Sequence, residues 1–452
     1  MWNYFLSHTP LLYFTQSLWR DEAFSVLVAE KPIRFFFTNL GFEPPFYYTL
    51  LHFWIKIFGE SEIATRGLSF LGVALATYII IEWAGRLYKK HWLSWFVPLF
   101  FFLNPMILYY AFEVRTYGWY IFFATAAMYT YLEKKWRLYI LASVLGFYTH
   151  SYFIFVPLTQ GLHWLLLRGG WKTIRKGKAA FNDITLRSFL IIGIAVAPWI
   201  AKVIYESSKL KTSWYFPVNF NLIKSVLGNM FLGYEGTPWY MWKHTAILSG
   251  FLLFLFLLAL VPRTSRAYAK YFLLAVFVPL ALVIGISFRK PLFVNRYLIS
   301  VTVAEVMLVG FALSAIRHKI LQGLVAVLIL GFVIWFNSWY PLQHAKLDIR
   351  TPLREINMLM SDNDVVYAES PLIFFESIYY SKNRNNVYLY NPNNSPFPWY
   401  VGDVIVSQKQ MAYDLPIYPN RAFLIHENGT YDVVYGIRAS HIPANPVSPV
   451  SL

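Results

Sequence analysis

Long apolar runs separated by short basic links set the pattern of this chain. A helix crosses a bilayer with roughly 20 apolar residues. Runs of that kind fall at 62–88, 92–111, 114–132, 137–149, 151–168, 187–205, 244–262, 270–288, 297–316 and 319–340. The fourth is short for a full crossing. Residues 1–18 are apolar but interrupted by Ser7, His8, Pro10 and Gln16. They read either as a poor first span or as a sign that the first helix lies upstream.

Two regions depart from this pattern. Between 23 and 58, Phe24, Leu27, Val28 and then Phe35, Phe36 and Phe37 alternate with Glu30, Lys31 and Arg34. After Pro44-Pro45 follows the aromatic piece Phe46–Trp54. Such mixed stretches predict helices lying in the membrane–water interface, with an ordinary loop carrying aromatic anchors as the alternative. After Tyr340 short β-rich runs appear at 364–368, 386–390, 403–406, 421–425 and 431–435. Helical stretches separate the first of them, with Thr351 as a candidate cap before Pro352. Strands alternating with helices predict a small α/β domain. The chain thus divides into a first outer loop with interfacial helices (1–61), a membrane domain (62–340), an α/β domain (341–441) and a Pro- and Ser-rich tail (442–452) expected to be disordered.

Composition agrees. The chain is 57% hydrophobic and 14% charged, with a mean hydropathy of +0.45, whereas soluble domains are about 25% charged. The expected fold is therefore a polytopic α-helical membrane protein of about 10–11 spans. Without cysteine, there is no disulfide framework and no thiolate ligand or nucleophile. A net charge of +16 raises the question of nucleic acid, but the positions of the charges answer it. Arg86, Lys89 and Lys90, then Lys134, Lys135 and Arg137, then Arg168 to Arg187, then Arg263, Arg266 and Lys270, then Arg317 and Lys319 all fall on one side if the runs alternate. That side is cytoplasmic by the positive-inside rule. Most acids fall on the opposite, outer side; Glu305 lies within a run. No signal peptide is evident in residues 1–19.

The outer side collects the residues able to do chemistry. Asp21 and Glu22 are adjacent carboxylates in an apolar neighbourhood, where charge is costly to keep; a surface helix start is the plain alternative. Glu113 and Arg115 share a short corner between two runs, as a structural clamp or as the lining of a phosphate-binding cavity. Arg289, Lys290 and Arg296 place positive charge on the side the positive-inside rule disfavours. That points to an anionic ligand such as a lipid phosphate, with headgroup snorkelling as the alternative. His150 marks another outer corner. His8, His52 and His150 show no spacing that argues for a metal site. No Gly-rich phosphate loop is present, nor a cytoplasmic domain to hold a nucleotide, so an activated substrate would arrive within the membrane.

Three stretches carry a resemblance: Trp19–Ala23, Glu43–His52 and Phe58–Arg66. Together they resemble the first outer loop of GT-C glycosyltransferases, in particular the bacterial branch of the dolichyl-phosphate-mannose protein mannosyltransferase family, related to the lipid A aminoarabinose transferases. Glu113-Val114-Arg115-Thr116-Tyr117 is similar to the acidic-x-Arg-x-Tyr corner of those proteins, and Arg296-Tyr297-Leu298 to the start of a late span. The resemblance covers about residues 18–340. Glu43 stands where many relatives carry His or Lys beside the prolines.

The resemblance implies transfer of a sugar from a polyprenyl-phosphate donor to an acceptor on the outer face, with inversion. It implies Asp21 as catalytic base, supported by Glu22, and Glu113 as a second acid that orients the acceptor or a divalent metal. Arg115 and Arg296, with Lys290 and Arg66 behind them, are the implied donor-phosphate ligands. Trp19, Tyr47, Tyr117, His150 and Tyr297 are expected to line the substrate. Membrane lipids and the lipid donor are the expected partners, and nucleic acid is not. A flippase for polyprenyl-linked glycan is the alternative, though no internal repeat of the transporter kind is visible. A non-catalytic assembly subunit is a third reading.

Overall fold

The computed structural model describes residues 2–89, 91–209 and 217–437. The chain forms two compact units. One comprises residues 1–16 and 28–345, and the other 17–27 and 346–452.

The first unit is helical. Six segments are long and apolar enough to cross a membrane: Glu62–Tyr88, Ile184–Lys209, Met241–Leu258, Arg266–Ser287, Asn295–Ala315 and Lys319–Gln343. The run expected as one span at 92–111 is broken into Leu93–Leu103 and Pro105–Ala111, meeting at 58°. Asn104 explains the break. Its side-chain oxygen accepts the Met106 and Ile107 N–H groups, capping a new helix that starts on Pro105. The runs 114–132, 137–149 and 151–168 form shorter helices at Tyr117–Leu132, Trp136–Thr149 and, after a 3-10 turn, Phe155–Leu167. Lys134, at φ 57°, turns the chain between the first two. The ten expected spans are thus six of full length among the described residues, or seven if the bent pair is counted as one.

Helix Ile299–Ala315 is the centre of the packing. Its residues from Ile299 to Leu313 are all buried, as an all-round apolar helix requires. Glu305 is buried with them, and neither of its oxygens has a hydrogen-bond partner among the described residues.

Residues before the first span form short helices at Trp2–Ser7 and Leu11–Thr15. The expected interfacial segment resolves into helices Arg20–Ala29, Ile33–Thr38 and Phe46–Phe58. Helix Phe46–Phe58 buries Tyr47, Tyr48, Leu51 and His52 and exposes Phe53, Ile57 and Phe58. Helix Arg20–Ala29 has no such exposed apolar face, because every residue from Glu22 to Ala29 is buried.

The second unit carries a five-stranded sheet in the order β3-β2-β1-β4-β5. The strands are β1 (Val365–Ala368), β2 (Val387–Tyr390), β3 (Met411–Ala412), β4 (Ala422–Ile425) and β5 (Tyr431–Val434). The first four in that order run parallel and β5 pairs antiparallel to β4. The expected strand at 403–406 is instead a 3-10 turn, Asp403–Ile405, following Gly402 at φ 115°. Asp403 and Val404 are exposed, so this stretch has no buried face to pin a strand. β3 takes the edge position that the sequence had not suggested. Nor is Thr351 the cap of its helix, which runs Arg350–Leu359. The Asp348 carboxylate accepts the Thr351 N–H at 3.2 Å and its hydroxyl at 2.6 Å. The tail, 442–452, lies outside the described residues.

Candidate functional site

The corner Phe112–Thr116 is held by close backbone packing. A Cβ on Gly118 would collide with the Ser69 carbonyl, and one on Gly72 would lie 2.7 Å from Gly118. Ser69 Oγ donates to the Arg115 carbonyl at 3.2 Å. Tyr47, fully buried, reaches the same Ser69 hydroxyl at 3.4 Å. Only glycines let the two helices approach this closely, and the approach fixes where Arg115 leaves the backbone.

Arg115 points to Glu43, with Nη2 3.6 Å from Oε1. Tyr48 donates its hydroxyl to the other Glu43 oxygen. Burial, followed by the Glu43 charge, pushes the Tyr48 phenol well above its usual range, so Tyr48 stays a hydrogen-bond donor. The second cation, Arg296, sits in the 3-10 turn Asn295–Leu298. Its Nη1 lies 2.7 Å from Glu235 Oε2, and Tyr110 donates to the other Glu235 oxygen at 3.5 Å. Asn295 donates to the Tyr234 carbonyl, tying this turn to the chain beside Glu235.

Between the two arginines stands His150. It terminates helix Trp136–Thr149, and its Nδ1 accepts the Tyr152 N–H at 3.2 Å, which leaves the proton on Nε2. The ring stacks on Tyr120 at 5.0 Å and 15° and packs on Tyr297 at 5.2 Å and Tyr117 at 5.7 Å. Burial, then the Arg115 and Arg296 charges, push its pKa down to about 3. The imidazole is therefore neutral at physiological pH. A cavity of about 420 Å³ opens beside Arg296, lined among others by Glu235, Asn229, Tyr234, Trp239 and Trp242. A second, of about 680 Å³, is almost wholly apolar and lies between helices Met241–Leu258 and Lys319–Gln343.

Seven of the expected residues, Tyr47, Glu113, Arg115, Tyr117, His150, Arg296 and Tyr297, thus lie in the first unit. Lys290 lies there as well, but it is exposed and forms no ion pair among the described residues. Arg66 is fully buried, and its Nη1 donates to the Phe14 and Gln16 carbonyls at 3.1 and 2.6 Å. It binds the N-terminal segment to helix Glu62–Tyr88. Glu43 and Glu235, the carboxylate partners, escaped sequence reasoning. Glu43 was visible beside Pro44-Pro45, but pairing over such sequence distances carries no local signal.

Trp19, Asp21 and Glu22 belong to the second unit. Asp21 Oδ1 accepts from Arg20 Nε at 2.9 Å and keeps 17% of its side chain exposed. Glu22 is fully buried, accepts the Trp19 N–H at 3.3 Å and pairs with Lys346 Nζ at 2.9 Å. Lys346 also lies 5.7 Å over the Trp19 ring.

The histidines considered for a metal are each engaged locally. His52 Nδ1 contacts the Ala29 carbonyl at 2.6 Å, and His8 the Tyr4 carbonyl at 2.9 Å. Among the described residues no group of three or more His, Asp or Glu is placed to hold a metal ion.

The fold spanning most of the chain is shared with solved structures of ArnT from Cupriavidus metallidurans. One, in the apo state, matches with a TM-score of 0.58 at 11% identity, covering 92% of this chain and 91% of that one. The other, bound to undecaprenyl phosphate, matches with a TM-score of 0.58 at 13% identity over the same shares. No protein-family model and no curated protein sequence matches the chain. At such identities the likeness concerns the fold alone.

Proposed function

We propose that this protein is a glycosyltransferase that moves a sugar from a polyprenyl-phosphate donor to a hydroxyl acceptor on the outer face of the membrane, with inversion. The observation that carries the reading is the pair of half-buried, carboxylate-paired arginines, Arg115 and Arg296, on either side of His150 within an aromatic cluster. The shared fold with a protein solved bound to undecaprenyl phosphate supports it.

In the proposed reaction the acceptor oxygen attacks the anomeric carbon and the bond to the phosphate oxygen breaks. Asp21 takes the hydroxyl proton as that bond forms. Polyprenyl phosphate leaves as an anion and needs no general acid; its growing charge is stabilised by Arg115 and Arg296. Each guanidinium has five N–H donors, so a carboxylate partner leaves others for phosphate. Glu43 and Glu235 hold the guanidiniums in place and lower the cost of two like charges before the donor arrives. His150 offers Nε2–H as a neutral donor. The apolar cavity of about 680 Å³ suits a prenyl chain.

The test is turnover. Purified protein is incubated with a panel of radiolabelled polyprenyl-phosphate sugars and with candidate acceptors. Release of polyprenyl phosphate with label in the acceptor supports the reading. Movement of labelled lipid between vesicle leaflets without bond cleavage would replace it with transport.

A further inference from the structure

Among the described residues four asparagines are buried, all in the first unit, and three of them hold a backbone carbonyl. Asn104 Nδ2 donates to the Phe231 carbonyl at 3.0 Å, Asn295 Nδ2 to that of Tyr234, and Asn337 Nδ2 to that of Leu103 at 2.7 Å. The fourth, Asn229, does not. It is 1% exposed, and its Oδ1 has no hydrogen-bond partner among the described residues. An unpartnered buried amide oxygen is costly, and native proteins seldom keep one that nothing completes.

Asn229 lines the cavity of about 420 Å³ that opens beside Arg296. It sits on helix Phe220–Leu232 two turns after Leu222, which also lines the cavity, so one face of the helix carries both. Packing fixes that face. A Cβ on Gly228 would collide with the Thr245 carbonyl, and the Gly228 N–H donates to Ser249 Oγ at 2.8 Å. The Asn229 carbonyl already accepts the Gly233 and Tyr234 N–H groups. The helix cannot shift to bring the amide a new partner, so the cavity has to supply one.

The rest of the wall suits a sugar. Trp242 packs edge-on to Tyr234 at 5.5 Å and 77°, and its carbonyl accepts from Ser225 Oγ at 3.2 Å. Trp239 is 76% exposed. An indole offers a negative ring face, to which the C–H face of a sugar ring is complementary. A sugar hydroxyl both donates and accepts, so it satisfies either end of the Asn229 amide. Apolar walls with a few placed polar groups are the usual make-up of a small-ligand site. Arg296 lines the same cavity, and in a polyprenyl-phosphate sugar one oxygen joins the ring to the phosphate. We infer that this cavity holds the sugar of the donor, with a ring hydroxyl bonded to Asn229 and a ring face against Trp239, so that Asn229 selects among sugars. This rests on Arg296 as a ligand of the donor phosphate.

The experiment uses the full chain in detergent and reads affinity and hydrogen exchange. The probes are polyprenyl phosphate, the same lipid carrying each of a panel of sugars, and single-deoxy forms of the sugar that binds best. The variants are Asn229→Leu, close in volume but without the amide, and Trp239→Ala. Sugar-bearing lipid is expected to slow exchange across 220–242 beyond the effect of polyprenyl phosphate. One deoxy form should bind the wild type about 10-fold more weakly than its parent, the scale of one hydrogen bond. Asn229→Leu should bind the parent about 10-fold more weakly and no longer distinguish that deoxy form, with its affinity for polyprenyl phosphate unchanged. Trp239→Ala should weaken every sugar-bearing lipid and spare polyprenyl phosphate. Equal protection with and without the sugar would overturn the inference, as would wild-type discrimination in Asn229→Leu. So would deoxy forms that all bind the wild type as tightly as the parent, a result that needs no variant to fold. An unaltered affinity of Arg296→Ala for polyprenyl phosphate would instead overturn the phosphate role beneath it. The expected binding pattern without turnover would keep the sugar site and count against transfer.

Discussion

In the membrane unit, Arg115 and Arg296 face carboxylates whose side chains are 32% exposed. In the other unit, Glu22 and Lys346 face each other at 0% and 8% exposure. The same charge chemistry serves two purposes. A guanidinium balanced by a part-solvated carboxylate can exchange that partner for an incoming phosphate at little cost, because water accepts the displaced carboxylate. A fully desolvated ammonium–carboxylate pair has no such freedom: removing one partner strands the other. The first arrangement suits ligand binding, and the second suits holding a chain segment still.

This contrast can be broken by experiment. The largest effect is expected at Asp21. Asp21→Asn should lower transfer by about 10²–10⁴-fold, the range of general-base catalysis, with donor binding retained; a wild-type rate in a single-turnover assay would remove Asp21 from the chemistry. Lys346→Met should remove the ammonium paired with the buried Glu22 and destabilise the protein by about 3–5 kcal/mol, seen as a lowered thermal midpoint. The double variant Lys346→Met with Glu22→Leu should recover part of that loss. Arg296→Ala should weaken donor binding by about 1.5–3 kcal/mol, the scale of a charge-assisted hydrogen bond, without a comparable loss of stability. Equal losses of stability at Arg296 and Lys346 would erase the contrast.

Protonation gives smaller effects. Burial holds the Glu376 proton in the folded state up to about pH 8, whereas an unfolded chain releases it near the usual 4.5. Between those values the folded state binds more protons, so stability falls as pH rises through that window. The thermal midpoint of the wild type should therefore decline more between pH 5 and 8 than that of Glu376→Gln. His150, held near 3, changes charge far below this window. His150→Gln should leave the shape of the pH–rate profile between pH 5 and 9 unaltered, whatever its effect on kcat.

Much of this was legible in the chain. The apolar runs located every long helix, since burial of backbone polar groups in a bilayer demands helix wherever a run is long enough. Glu113, Arg115, His150 and Arg296, which the order of basic and acidic links led one to expect on one side, lie in one unit. The errors were local or long-range. Asn104-Pro105 broke a run whose hydrophobicity gave no warning, because a cap acts through one side chain. The 403–406 run looked like a strand by residue type, but a strand needs a buried face, and that depends on what packs against it. Arg66 looked like a phosphate ligand and proved to hold backbone carbonyls.

What the sequence determined by itself was the surroundings each segment prefers: apolar runs for lipid and β-rich runs for a small sheet domain. These are sums over neighbouring residues, and they survive without knowledge of contacts. Only the tertiary structure decided which charges meet. Arg115 with Glu43, Arg296 with Glu235 and Glu22 with Lys346 join positions from tens to hundreds of residues apart. A charge's consequence depends on its partner and its desolvation, and both are set by packing.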